Sequence, residues 1–123
     1  MTQVQPNIVI VEDDFISQQV LIAMLSCYPV TTYCASTGQE ALQLIAACSP
    51  QLLLLDHELP DMTGITLYQL LTQQSIAITA ALISAHSVEQ LTPQAHAAGI
   101  AQVLHKPVEP QQLVNLLRIT GCI

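Results

Sequence analysis

The chain alternates between short uninterrupted apolar runs and longer stretches in which apolar residues return every three or four positions. Asn7-Ile8-Val9-Ile10-Val11 is a β-branched run that Glu12-Asp13-Asp14 ends abruptly. Phe15 to Leu25 follows with helical spacing: Ser17, Leu21, Met24 and Leu25 fall on one stripe, and Ile16, Val20 and Ala23 on another. Val30 to Cys34 suits a second strand. Thr37 and Glu40 have the spacing of a capping box. They open a helix through about Ala47, with Ala41, Leu44, Ile45 and Cys48 at core spacing. Leu52-Leu53-Leu54-Leu55 forms a third strand that runs straight into Asp56. A loop held by Pro60 and Gly64 leads on to a helix from about Thr63 to Gln73. Thr79 to Ile83 is a fourth strand ending on Ser84, and Gly99 stops the weaker helical segment after it. Ala101 to Leu104 is a fifth, and Pro110 opens a last helix with Leu113, Leu116 and Leu117 on one face.

Strands alternating with helices imply a parallel sheet covered on both faces, and strands apolar throughout agree with that. The prediction is an α/β domain with a doubly wound five-stranded parallel sheet, spanning residues 7–119, with an N-terminal extension 1–6 and a C-terminal tail 120–123. The 123 residues suffice for one domain with a real core. One local signal qualifies the fourth helix. Proline in a helix interior loses a backbone bond and clashes, at roughly 3 kcal/mol. Thr92 as N-cap with Pro93 in the first turn avoids this, and predicts a short helix with Ser87 to Leu91 outside it.

Composition narrows the function classes. The net charge is −7, with Lys106 and Arg118 the only lysine and arginine, so a basic nucleic-acid footprint is absent and direct nucleic-acid binding is not expected. No apolar run approaches the roughly 20 residues that cross a bilayer. The first six residues lack the charged and apolar regions of a secretory signal. The expectation is a cytoplasmic domain without membrane contact of its own, or the cytoplasmic part of a membrane-anchored protein. Cys27, Cys34, Cys48 and Cys122 are too far apart for a CxxC pair and are expected to be reduced, mostly buried thiols.

The chemistry converges on one edge. A parallel sheet brings the carboxyl ends of its strands together, where open α/β sheets build their sites. That edge receives Glu12, Asp13 and Asp14 from the first strand, Asp56 from the third, Ser84 from the fourth and Lys106 after the fifth. Clustered carboxylates repel unless a cation intervenes, and an all-oxygen donor set suits Mg²⁺. Lys106 adds a positive charge and Ser84 a donor for a phosphoryl oxygen. Asp56 is then a nucleophile for phosphoryl transfer, a reaction that needs mainly positioning and charge neutralisation. Asp14 reads equally well as the start of the following helix. His57, His86 and His105 flank the site without metal-ligand spacing.

The chain resembles the receiver domain of two-component response regulators over about Asn7 to Ile119. The likeness rests on Ile10-Val11-Glu12-Asp13-Asp14, on Asp56 with Leu59-Pro60-Asp61-Met62-Thr63-Gly64, on Ser84-Ala85, and on Lys106-Pro107. It implies a (βα)5 flavodoxin-like fold, with Asp56 as phosphoacceptor and with Ser84 and Lys106 binding the phosphoryl group. Glu12 and Asp13 would hold Mg²⁺ (or Mn²⁺) together with Asp56 and the backbone carbonyl of Glu58, and Lys106–Pro107 would be cis. The implied partners are a sensor histidine kinase, a histidine phosphotransfer domain, or both. Glu58 and His86 stand at positions that tune phosphoryl lifetime in the family. Ile16, Val20 and Ala23 would form a docking surface for a histidine-bearing helix, or else contact the core. Ile16-Ser17-Gln18-Gln19-Val20 further resembles receivers fused to hybrid sensor kinases.

The family's usual aromatic residue three positions before the lysine is Val103 here, which favours a phosphoryl relay over a ring-swinging switch. The alternatives are a stand-alone single-domain regulator and an unphosphorylated pseudo-receiver used for docking. A phosphatase of the haloacid-dehalogenase type would want a second Asp where Glu58 stands. The expected chemistry assists the domain's own phosphorylation and dephosphorylation rather than conventional enzyme turnover.

Overall fold

The computed structural model describes residues 5–123, so residues 1–4 of the expected N-terminal extension lie outside the described residues. Five strands alternate with five helices: β1 Asn7–Val11, α1 Phe15–Leu25, β2 Thr31–Ala35, α2 Gly38–Cys48, β3 Leu52–Asp56, α3 Gly64–Gln73, β4 Thr79–Ser84, α4 Val88–Ala98, β5 Gln102–His105 and α5 Pro110–Ile119. All strand pairs are parallel, in the order β2-β1-β3-β4-β5. This is the doubly wound sheet that the strand–helix alternation predicts.

Alternate residues of each strand feed opposite layers, as the period of two demands. Val9, Val11, Leu53, Leu55, Ala80 and Leu82 pack with Ala41 and Ile45 of α2, with Leu67 and Leu71 of α3, and with Ala95 of α4. Ile8, Ile10, Leu52, Leu54, Ala81 and Ile83 pack with Leu21 and Leu25 of α1 and with Leu113, Leu116 and Leu117 of α5. The two apolar layers hold β1 and β3 side by side, with Ile10 opposite Leu54 and Val11 opposite Leu55. That register sets Glu12 and Asp56 next to each other at the sheet's carboxyl edge. Among the described residues, no helix is long and apolar enough to cross a membrane.

The fourth helix departs from expectation. It starts at Val88, not after Thr92, and Pro93 lies inside it. Ser87 is the N-cap, its side chain accepting from the Gln90 N–H, and Thr92 Oγ1 donates to the Val88 carbonyl at 2.6 Å. Pro93 and Glu89 are both exposed, so water can serve the carbonyl that the proline leaves without a donor. Leu91, in the first turn, packs half-buried against the same apolar layer as Ala95, a contact the shorter helix would have left outside. The capping box at α2 is half formed: Thr37 Oγ1 accepts from Glu40 N at 3.0 Å, while Glu40 Oε2 accepts from Ser36 N, one residue earlier than a box requires.

All four cysteines are free, but only Cys122 is buried; Cys34 and Cys48 are half-buried and Cys27 is exposed. Cys27 lies beyond the end of α1, outside any core-facing period, so the expectation of mostly buried thiols fails there.

Candidate functional site

Asp56 is the last residue of β3 and is 3% exposed. Its Oδ1 accepts from the Glu58 N–H at 3.1 Å and its Oδ2 from Lys106 Nζ at 3.1 Å. Lys106 Nζ also donates to Glu12 Oε2 at 2.8 Å. The lysine reaches the site because its backbone N–H donates to the Ser84 carbonyl at 2.9 Å, extending the β4–β5 pairing past the strand end. The Lys106–Pro107 peptide is cis, as the family resemblance implies.

Glu12, Asp13 and Asp56 each offer an oxygen within 4.8 Å of the others. This donor set is hard, all-oxygen and short of positive charge, which is the chemistry a divalent ion such as Mg²⁺ takes. The electrostatics agree. Burial, and then the neighbouring Glu12 carboxylate, push Asp56 up to about 7, against the lowering pull of the Glu58 N–H and Lys106. Burial also disfavours charge on Lys106, but its contacts with Glu12 and Asp56 outweigh that and hold it above its ordinary value. One lysine shared between two buried carboxylates leaves Asp56 incompletely compensated. Among the described residues, no histidine joins this acidic group. Asp14 is apart from it: it caps α1, accepting from Ser17 N at 2.9 Å and from Ser17 Oγ at 2.8 Å.

On the other side of Asp56, fully buried Ser84 donates its hydroxyl to Glu58 Oε1 at 2.7 Å and accepts from the His86 N–H at 3.0 Å. His86 Nε2 stands 3.7 Å from the same Glu58 oxygen. Burial is the largest single influence on Glu58 and raises it, but the Ser84 hydroxyl, Asp56, its own backbone N–H and His86 together outweigh burial, so the carboxyl lies below its ordinary value. The hydroxyl is therefore engaged by Glu58 and must change partner before it can serve a phosphoryl oxygen.

Ile16, Val20 and Ala23 are exposed, the first two at 71% and 51%, so they are not core contacts. Ile16 and Val20 line a groove of about 290 Å³ with Leu21, Ile83, Pro107 and Val108, and the groove touches Glu12 and Lys106. Val103 is half-buried against the layer of α2, α3 and α4.

Two polar residues escaped the reading of the sequence. Gln18 is 8% exposed and donates through Nε2 to the Glu12 carbonyl and, at 3.3 Å, to Ser36 Oγ, tying α1 to the end of β1. Its place in the Ile16-Ser17-Gln18-Gln19-Val20 run was the available signal. Asp61, within the Leu59–Gly64 motif, bonds to the start of α2.

Residues 8–118 match the family model described as response regulator receiver domain. The chain is 32% identical over 111 residues to the regulator of RpoS from Escherichia coli (strain K12), covering 89% of this chain and 33% of that one. It is 28% identical over 112 residues to the sensor protein TorS of the same organism, covering 90% and 12%. It thus spans a third or less of these two curated relatives. The receiver domain of a putative Luxo repressor protein from Vibrio parahaemolyticus superposes with a TM-score of 0.89 at 26% identity, covering 95% of this chain and 90% of that one.

Proposed function

This chain belongs to the response regulator receiver domain family of two-component systems, and from that premise we propose that it accepts a phosphoryl group from a phosphohistidine onto Asp56. The observation that carries the reading is the set around Asp56: Lys106 Nζ at 3.1 Å, Glu12 and Asp13 within 4.8 Å, and the Ser84 hydroxyl held across the site by Glu58. A carboxylate oxygen of Asp56 forms the new bond to phosphorus as the phosphorus–nitrogen bond of the donor breaks, and the imidazole leaves with the electron pair. Lys106 neutralises charge on the transferred group, and Ser84 donates to one of its oxygens once Glu58 releases it. Glu12, Asp13, Asp56 and the Glu58 backbone carbonyl would hold Mg²⁺, which when bound offsets the negative charge that meets there. The domain assists transfer and hydrolysis without being a conventional turnover enzyme.

Incubation with acetyl phosphate and Mg²⁺ tests the reading by intact mass. An acid-labile gain of about 80 Da, the mass of one phosphoryl group, is expected, and none in Asp56→Asn. No gain in the parent protein would instead favour a pseudo-receiver used for docking.

The setting we favour is a relay within a hybrid sensor histidine kinase. The similarity to a sensor protein, the buried Gln18 in its hybrid-like run, and Val103 in place of a ring support it. The groove beside α1 then receives a histidine-bearing helix through apolar contact, since α1 carries no charged residue. Val20→Glu is expected to slow transfer from a phosphohistidine partner about tenfold or more, the effect of losing a central apolar contact. Acetyl phosphate labelling of the same variant should be unchanged. Equal loss in both assays would show that Val20 supports the site and not docking.

A further inference from the structure

The loop that follows Asp56 is fastened at both ends. At its base, Gly64 N donates to the His57 carbonyl at 3.0 Å, and Glu58 and Thr63 form an antiparallel bridge. Gly64 has to be glycine there, because a Cβ would stand 2.8 Å from the Asp56 carbonyl and 2.6 Å from Leu82 Cδ1. At its tip, Asp61 uses both carboxylate oxygens on a helix in another part of the chain. Oδ1 accepts from Gly38 N at 2.8 Å and Oδ2 from Gln39 N at 3.0 Å.

These two amides are the first of α2 and have no partner within that helix. A carboxylate there also complements the positive end of the helix dipole. The Gly38 N–H is the largest influence on Asp61 and holds its carboxyl below the usual value. Met62 lies beside it against Gly38, where a Cβ would come within 2.4 Å of its Sδ. Glycine at 38 thus lets the loop tip close on the helix start.

We propose that Asp61 is a positioning residue for the metal site: by clamping the tip of the Asp56 loop to α2, it fixes the segment that presents Glu58. The claim rests on the phosphoacceptor reading above. Glu58 is the pivot because it does two jobs at the site. Its N–H holds Asp56 Oδ1, and its side chain holds Ser84. The start of the loop is tied to β4 by the His57 N–H on the Ile83 carbonyl and by the Glu58 side chain on Ser84. At its tip, among the described residues, the hydrogen bonds to another element are those of Asp61, which bridge 22 and 23 residues of sequence to a helix packed on the sheet. Cutting that tie frees the loop to sample other arrangements, and a divalent ion must then order it on binding.

The test is direct binding of Mn²⁺, read from the electron paramagnetic resonance signal of the free ion, alongside acetyl phosphate labelling of Asp56 across a Mg²⁺ titration. Asp61→Ala is expected to weaken Mn²⁺ binding about tenfold, the lower end for residues that orient metal ligands. The Mg²⁺ concentration for half-maximal labelling should rise in step, while the labelling rate at saturating metal stays near that of the parent. Exchange of the Gly38 and Gln39 amides should quicken. Asp61→Asn, which keeps one acceptor oxygen, should fall between. Gly38→Ala, which keeps Asp61 but displaces Met62, should weaken metal binding too, and together with Asp61→Asn it decides the matter where Asp61→Ala does not fold.

Unchanged Mn²⁺ affinity in these folded variants overturns the clamp, as does a labelling rate that stays depressed at saturating metal. A parent protein that binds Mn²⁺ but is never labelled on Asp56 overturns the phosphoacceptor reading instead, and the binding comparison still decides the clamp.

Discussion

Lys106→Met is expected to slow labelling of Asp56 by acetyl phosphate about 10² to 10³-fold, the cost of removing one preorganised charge-stabilising group from a reaction centre. Lys106 is the only lysine in the chain, and Arg118, the only arginine, lies in the last turn of α5. Helices of a parallel α/β domain run back from the carboxyl edge, so the end of α5 lies away from the site. No other lysine or arginine on that edge can therefore take over the role. The same ammonium bridges Glu12 Oε2 and Asp56 Oδ2. Its removal leaves two buried carboxylates facing each other, which makes the folded state costlier at alkaline pH.

Breaking a buried pair typically costs 3–5 kcal/mol; with Lys106 partly exposed, a loss of about 2–4 kcal/mol at pH 8 is expected. Urea midpoints give the second quantity and a mass-spectrometric time course the first. Added Mg²⁺ should recover part of the stability, because it offsets the same charges, but not the full rate. Parental labelling by Lys106→Met would remove Lys106 from the chemistry and leave it a structural counter-ion.

The site was legible in the sequence to the extent that it follows from strand direction. Once Leu52 to Leu55 is read as a buried parallel strand, Asp56 has to lie at the carboxyl edge, and Glu12, Ser84 and Lys106 must join it there. No contact needs to be known for that step. Gln18 and Asp61 belong to a different class. Each is a polar residue in a segment that looks like surface, and each acts on a backbone group of a neighbouring element. Neither hydrophobic periodicity nor capping rules report such pairings, since the partner depends on how two elements are packed.

Pro93 shows the opposite failure. The local rule against proline in a helix is sound, but Ser87 supplies a cap and Leu91, ahead of the proline, packs against the core, so the helix starts earlier than the proline would allow. The stripe of Ile16, Val20 and Ala23 was ambiguous for a further reason. Helix α1 is apolar on nearly every side, so its sequence does not say which face meets the sheet.

Without a divalent ion, the protein is expected to become less stable as the pH rises from 5 to about 7.5, and Mg²⁺ should reverse that trend. The folded state holds the Asp56 proton up to about 7, because of burial and then the adjacent Glu12, whereas the unfolded chain releases it near 3.8. Between those values the folded state binds more protons than the unfolded one. The stabilisation is therefore complete below about pH 4 and is lost as the pH rises through 7. Asp14, Glu58 and Asp61 shift the other way, below their ordinary values. Their contributions fall away only at acid pH, outside this window.

The steepest slope one such group produces is about 1.4 kcal/mol per pH unit. Solvent near Lys106 should keep the observed slope below that. Urea midpoints across the window measure it, with Asp56→Asn as the comparison, since asparagine removes the titration and should flatten the profile. A divalent ion competes with the proton for the same carboxylate. Its binding should therefore weaken toward about tenfold per pH unit below 7, and its stabilising effect should be larger at pH 8 than at pH 5.5. A metal-free profile that matches Asp56→Asn would mean that Asp56 is already ionised in the folded protein. Lys106 alone would then suffice to compensate both carboxylates, and the charge deficit that recommends the site to a divalent ion would be absent.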